Sequence, residues 1–115
     1  MMNSTDGFER SEPTEMMKIK EKFDNAYLEI SKDNSFPMKP QRIIRDVQRA
    51  MGRNDILVSD VGAHKMWIAR LYNCYEPNTC IISNGFATMG IGVPGAISAK
   101  LIHPEKRVIT ITGDG

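Results

Sequence analysis

An excess of charge of either sign is missing from this sequence. Its 115 residues hold 15 Lys and Arg against 14 Asp and Glu, for a net charge of +1. Such a balance lacks the basic surplus of a nucleic-acid binder or of a polybasic membrane-binding surface, so neither partner is expected. Long apolar runs are missing as well, and none approaches the roughly 18 residues that cross a bilayer. The opening Met1-Met2-Asn3-Ser4-Thr5-Asp6-Gly7 has no apolar core of the kind a secretory signal carries, and a cytoplasmic location is expected. Cysteine is scarce. Cys74 and Cys80 could pair, but nothing else suggests a secreted disulfide scaffold, and buried or free thiols are the expectation. No internal repeat or low-complexity tract appears. What is present, at 41% hydrophobic residues, is the composition of an ordinary globular domain.

Taken in order, residues 1–14 are polar, contain Pro13, and are expected to be disordered. From Glu15 to Ser31 a helix is expected, because Met16, Ile19, Phe23, Ala26, Tyr27 and Ile30 recur at three- and four-residue spacing as one apolar stripe. It would pack on the domain or link it to another part, with Lys20, Lys22 and Lys32 on a solvated face. Asp33-Asn34-Ser35-Phe36-Pro37 breaks it. Pro40 suits the first turn of a second helix, Gln41 to Met51, with Ile43, Ile44, Val47 and Ala50 on one face and Gly52 as cap.

Asp55-Ile56-Leu57-Val58-Ser59-Asp60 reads as a buried parallel strand. Val61-Gly62-Ala63-His64 forms a turn and Lys65 to Tyr72 a short helix, in which Met66 and Trp67 are expected in the core or at an interface. After a loop over 73–79, Cys80-Ile81-Ile82-Ser83 is a second strand. A glycine-rich stretch and a helix to about Ile102 follow, ended by His103-Pro104, and Arg107 to Thr112 is a third strand.

Strands alternating with helices predict an α/β fold, a parallel sheet with flanking helices, over residues 37–115, preceded by a polar tail and helical linker over 1–36. The chain stops just after its third strand, which is read as a piece of a longer protein. The last strand would then leave an unpaired edge and an uncovered apolar face, and the isolated chain is expected to be poorly folded.

In parallel sheets ligands bind beyond the carboxyl ends of the strands. Those ends carry Gly62-Ala63-His64, Asn84-Gly85-Phe86 and Gly113-Asp114-Gly115, three polar-tipped, glycine-containing loops. A literal G-x-G-x-x-G is also present as Gly90, Gly92 and Gly95, with Asp114 about 20 residues beyond, which raises a dinucleotide-binding domain as one reading. Its placement argues otherwise: six residues separate Ser83 from Gly90, and Pro94 lies inside the motif. The alternative is that these glycines, with Ala96 and Ala99, let a helix pack closely on the sheet. Gly113-Asp114-Gly115 differs in kind, since it offers backbone that can approach an anion and a carboxylate suited to a hard cation. Magnesium takes one or two carboxylates and fills its other positions with phosphate oxygens and water, so the motif suits a metal-bridged diphosphate.

Residues 37–115 resemble the thiamine diphosphate-binding domain of the acetolactate synthases, especially the catabolic type. The resemblance rests on Asp60-Val61-Gly62-Ala63-His64-Lys65-Met66-Trp67, Tyr75-Glu76-Pro77, Ile82 to Gly90, and Val108 to Gly115. It implies that Asp114 is a ligand of Mg2+ and that Gly113 and Gly115 admit diphosphate oxygens. It implies that Gly85, Ala87, Thr88 and Met89 form a cofactor-binding segment, with the Ala87 carbonyl on the pyrimidine amino group and Met89 as the catalytic buttress that keeps the cofactor bent. An unbranched side chain suits that task because it fills an irregular gap without a polar atom. Ala63 and His64 match the loop that reaches the diphosphate. Many biosynthetic relatives carry glutamine where Ala63 stands, so that side-chain contact is missing here, and His64 is either a cofactor contact or only a loop histidine.

The implied activity is decarboxylation of pyruvate and its condensation with a second 2-keto acid to 2-acetolactate, in a homo-oligomer. The glutamate that activates the cofactor comes from another domain in this family, no residue here matches it, and a second metal-binding side chain is expected downstream of Asp114. Another thiamine-dependent 2-keto acid enzyme, such as a pyruvate oxidase or decarboxylase, and a non-catalytic remnant are the competing readings.

Overall fold

The computed structural model describes residues 14–114. The expectations for the polar tail up to Pro13 and for Gly115 lie outside the described residues. Seven elements follow one another: α1 (Thr14–Ser31), α2 (Pro40–Ala50), β1 (Ile56–Ser59), α3 (His64–Leu71), β2 (Cys80–Ile82), α4 (Gly92–Ile102) and β3 (Val108–Ile111). The strands form one parallel sheet in the order β2-β1-β3. Parallel neighbours need a crossover, and the helices between the strands supply it.

The sequence of β1, four consecutive residues buried without alternation, follows from its central place. Leu57 packs on one side into a cluster with Ile44 of α2 and with Ile68 and Leu71 of α3. Ile56 and Val58 pack on the other side with Ala99 of α4. Full burial of a side chain such as Leu57 or Ile68 contributes about 1.5–3 kcal/mol each. Helix α2 opens on Pro40, whose missing N–H has no partner to lose there, and carries an Arg42–Asp46 ion pair at i,i+4. It ends at Met51, whose N–H still reaches the Val47 carbonyl, one residue before the glycine expected to cap it.

Helix α4 lies close on the sheet because of its glycines. A Cβ on Gly92 would stand 2.7 Å from Thr110 Oγ1 and 2.9 Å from Asp60 Cβ, and one on Gly95 would stand 3.3 Å from Val58 Cγ1. Helix-on-sheet packing is therefore what Gly92 and Gly95 do. At the amino end of β1, Asp55 accepts from the Gly52 amide at 2.7 Å and the Arg107 amide at 3.0 Å, and pairs with the Arg107 guanidinium at 3.0 Å. It thereby fixes the entries of β1 and β3 side by side.

The periphery is open. The stripe expected along α1 is only partly buried: Tyr27 is half-buried, while Met16 and Ile19 are 66% and 68% exposed. At 18 residues α1 outruns the 11-residue α2 on which it packs. Trp67 is half-buried against the core, and Met66 is exposed. Beside β3 lies the expected uncovered apolar surface, an open trough of about 690 Å³ lined by Met51, Ile97, Leu101, Val108 and Ile109 among others. Cys74 and Cys80 are free thiols. Among the described residues no helix is long and apolar enough to cross a membrane.

Two outcomes follow from this packing. Gly92→Ala should destabilise by about 1–3 kcal/mol through overpacking, whereas Gly95→Ala should stay within about 1 kcal/mol of the parent, because its looser contact is offset by better helix propensity. Urea unfolding that finds the two alike would contradict the geometry. The Asp55 carboxyl is held below the usual carboxylate range, chiefly by the Gly52 amide, against its partial burial and with further help from Arg107. A depressed folded value means that its contribution is complete above about pH 4 and is lost as pH falls through that value. Asp55→Asn should accordingly be less stable than the parent at neutral pH, and unfolding curves taken at successively lower pH should converge.

Candidate functional site

The register aligns the carboxyl ends of all three strands, with Ser59 opposite both Ile82 and Ile111. The Asp60 N–H donates to the Ile111 carbonyl at 2.9 Å and carries the ladder one step past β1. The loops after β1, β2 and β3 therefore leave the sheet from one edge, where parallel α/β sheets hold their ligands.

Asp60 organises that edge. It is only 4% exposed, and its carboxylate is surrounded by main-chain donors. Oδ1 accepts from the Val61 amide at 2.6 Å and the Gly90 amide at 3.0 Å, and Oδ2 accepts from the Gly92 amide at 3.1 Å. Gly92 opens α4, whose own cap position, Ile91, provides no side-chain acceptor. A carboxylate from another strand thus caps this helix and meets the positive end of its dipole. The Val61 amide above all, then the Gly92 and Gly90 amides, hold the Asp60 carboxyl below the usual range despite the opposing effect of burial. Its own carbonyl accepts from Ser59 Oγ at 2.9 Å and lies 3.0 Å from His64 Nε2. A carbonyl can only accept, so Nε2 carries the proton in this contact and Nδ1 remains for other partners.

Ala63 sits exposed at the start of α3, in helical conformation. His64 is half-buried. Its ring stands 2.9 Å from where a Gly62 Cβ would be and 3.8 Å from where a Gly113 Cβ would be, so it bridges the first and third loops. Gly85, Ala87, Thr88 and Met89 lie together in the second loop. Gly85 has φ +76°, and nothing lies within 4 Å of where its Cβ would be. Ala87 has φ +46°, a left-handed conformation that costs a non-glycine residue about 1–2 kcal/mol. Met89 is 62% exposed and its neighbour Phe86 fully so. Gly113 and Asp114 are exposed beyond β3, and Gly115 lies outside the described residues. His64 lies next to Gly113, and among the described residues no hydrogen bond joins Ala63 or Asp114 to the second loop. Gly90, with φ +93° and its amide on Asp60, belongs to the loop, while Gly92 and Gly95 belong to the helix.

Two residues at this edge had no role assigned from sequence. Asp60 looked like the polar end of an apolar strand. Lys65, in the first turn of α3, donates through Nζ to the Ser83 carbonyl and to Asn84 Oδ1, each at 3.1 Å. The only sequence signal for either was their place within Asp60 to Trp67. Among the described residues no three His, Cys, Asp or Glu side chains cluster as a metal site.

Residues 60–115 match the family described as thiamine pyrophosphate enzyme, C-terminal TPP binding domain. The chain is 42% identical over 78 residues to an acetolactate synthase large subunit of Lactococcus lactis, which covers 68% of this chain and 14% of the relative. It is 37% identical over 76 residues to an acetolactate synthase of Bacillus subtilis, covering 66% and 13%. Against the mitochondrial acetolactate synthase catalytic subunit of Saccharomyces cerevisiae it is 38% identical over 110 residues, covering 92% and 16%. The chain thus spans about one seventh of the length of the curated relatives it matches. The parallel α/β sheet and the match that begins at the residue organising its edge agree: residues 60–115 are similar to the TPP-binding domain of the thiamine pyrophosphate enzymes.

Proposed function

We propose that this chain is part of an acetolactate synthase and provides half of its thiamine diphosphate site. The observation that carries the reading is the convergence of the three loops, whose residues are the ones in which the chain resembles that family. The residues present fit the cofactor. Gly113 and Asp114 are exposed beyond β3 beside the His64 ring. One carboxylate is a normal protein share for a magnesium ion that also takes phosphate oxygens and water. Met89 and Phe86 hold apolar surface in solvent at the same edge, and the left-handed backbone at Ala87 is the kind of strain that collects at ligand sites.

In this reading Asp114 would hold Mg2+, Gly113 and Gly115 would admit the diphosphate oxygens, and Ala63 and His64 would contribute to the same group's site. Gly85, Ala87 and Thr88 would hold the pyrimidine end, with the Ala87 carbonyl as acceptor for its amino group, and Met89 would be the apolar buttress of the cofactor. When bound, thiamine diphosphate supplies an electron sink for the pair released as carbon dioxide leaves a 2-keto acid. The chain's part is to position and to exclude water: a metal ligand, a carbonyl acceptor and an apolar support. The remaining groups, a catalytic glutamate and a further metal ligand, would come from outside residues 1–115, within a cytoplasmic homo-oligomer. Residues 1–36 would be a tail and helical linker, and 37–115 the first half of the domain.

The test is to purify the full-length protein and supply pyruvate, thiamine diphosphate and magnesium. Formation of 2-acetolactate, identified by mass spectrometry, is expected, and acetaldehyde or acetate as the sole product would overturn the carboligase reading. Asp114→Ala should abolish magnesium-dependent cofactor binding in titration calorimetry, and unchanged binding would remove Asp114 from the metal. Met89→Ala should lower kcat about a hundredfold through misplacement of the reacting groups while cofactor affinity changes little. A loss confined to affinity would refute the supporting role.

A further inference from the structure

Resting on that reading and going beyond it, we infer that Asp60 and Lys65 are a pair of positioning residues that grip the Gly85–Met89 segment at its two ends. At the entry, the Lys65 ammonium holds the Ser83 carbonyl and the Asn84 side chain. At the exit, the Asp60 carboxylate holds the Gly90 and Gly92 amides. Each charge suits what it grips, since a strand's carboxyl end presents carbonyls and a helix's amino end presents N–H groups.

Nothing comparable holds the middle. Among the described residues, no hydrogen bond from another part of the chain reaches residues 85–89. Gly85 has open space around it and Phe86 is fully exposed. Yet the segment and its exit turn through positive φ at Gly85, Ala87 and Gly90. A left-handed alanine persists only where its surroundings over-determine it, and among the described residues the hydrogen bonds beside this half-buried alanine are those at the two ends. Both gripping residues come from one short stretch, the loop after the fully buried β1 and the first turn of α3. The most buried strand of the sheet thereby leads into the residues that hold both ends of the second loop.

The experiment compares Asp60→Asn, Lys65→Met and Lys65→Arg with Asp114→Ala in the full-length protein. It reads amide hydrogen exchange by peptide and thiamine diphosphate affinity by calorimetry. Asp60→Asn would turn an amide nitrogen toward an N–H donor, and Lys65→Met would leave the Ser83 carbonyl without its cation. Both should speed exchange in the peptide covering 84–92 and weaken the cofactor about tenfold. Lys65→Arg should restore both. Asp114→Ala should abolish magnesium-dependent cofactor binding while exchange in 84–92 of the cofactor-free protein stays at the parent's rate. The inference is overturned if exchange there stays at the parent's rate, or if it rises evenly over the whole sheet as general destabilisation would make it. Lys65→Met reads the grip independently should Asp60→Asn fail to fold. If the parent itself binds no thiamine diphosphate while both variants loosen 84–92, the proposed function falls and the grip stands.

Discussion

A carboxylate out of water needs hydrogen-bond donors, and the Asp60 carboxylate finds all of its own on the main chain. That requirement constrains most of what surrounds it. Gly92 must bring its amide within reach, which places the first turn of α4 so close to β1 and Thr110 that no side chain fits there. Gly90 must turn through positive φ to aim its own amide at the same oxygen as Val61. The backbone of Asp60 meanwhile bonds to β3 through its N–H and to His64 through its carbonyl. One residue therefore ties the first loop to the carboxyl end of β3 through its main chain and to the second loop through its side chain.

Asp55 performs the matching task at the other end of β1, where it fastens Gly52 and Arg107. The central strand is bracketed by two aspartates that accept main-chain amides from its neighbours, and apolar contacts fill the four residues between them. This division explains why β1 was legible in sequence. A continuous apolar run closed by acidic residues can be a parallel strand covered on both faces, and α2 with α3 on one side and α4 on the other provide that cover. The alternation of elements was legible for the same reason, through apolar spacing and the breaks at Pro37, Pro77 and Pro104. The extent of burial along α1 was not. Spacing reports which face could be buried, and whether something lies against it depends on the length of the partner helix.

The site was legible in part. Three glycine-bearing loops at strand ends can be read from order alone, because parallel strands bring like ends together. The meaning of each glycine cannot. Gly90, Gly92 and Gly95 form a dinucleotide-like string in sequence, yet one is a turn and two are contact points for a helix. Asp60 was missed because its partners lie 30 and 32 positions away. Until the chain is folded, an aspartate that ends a strand is indistinguishable from one that merely meets solvent. Lys65 was hidden likewise, since a lysine in a first helical turn has no local signal that it reaches the residue just after β2, 18 positions on.

The character of the edge also bears on what it can hold. Its second loop presents an exposed methionine and phenylalanine flanking Ala87 and Thr88, while its third presents glycine and a carboxylate near a histidine. A purely polar ligand would leave the apolar tip in water, and a purely apolar one would leave the carboxylate unused. In the proposed reading such a surface suits a molecule with an aromatic end and an anionic end joined through a hard cation, since a carboxylate and a phosphate repel one another unless a metal lies between them. The proposed thiamine diphosphate–magnesium complex has that polarity along its length, and a second loop held at both ends by Lys65 and Asp60 would offer its apolar tip to the aromatic end.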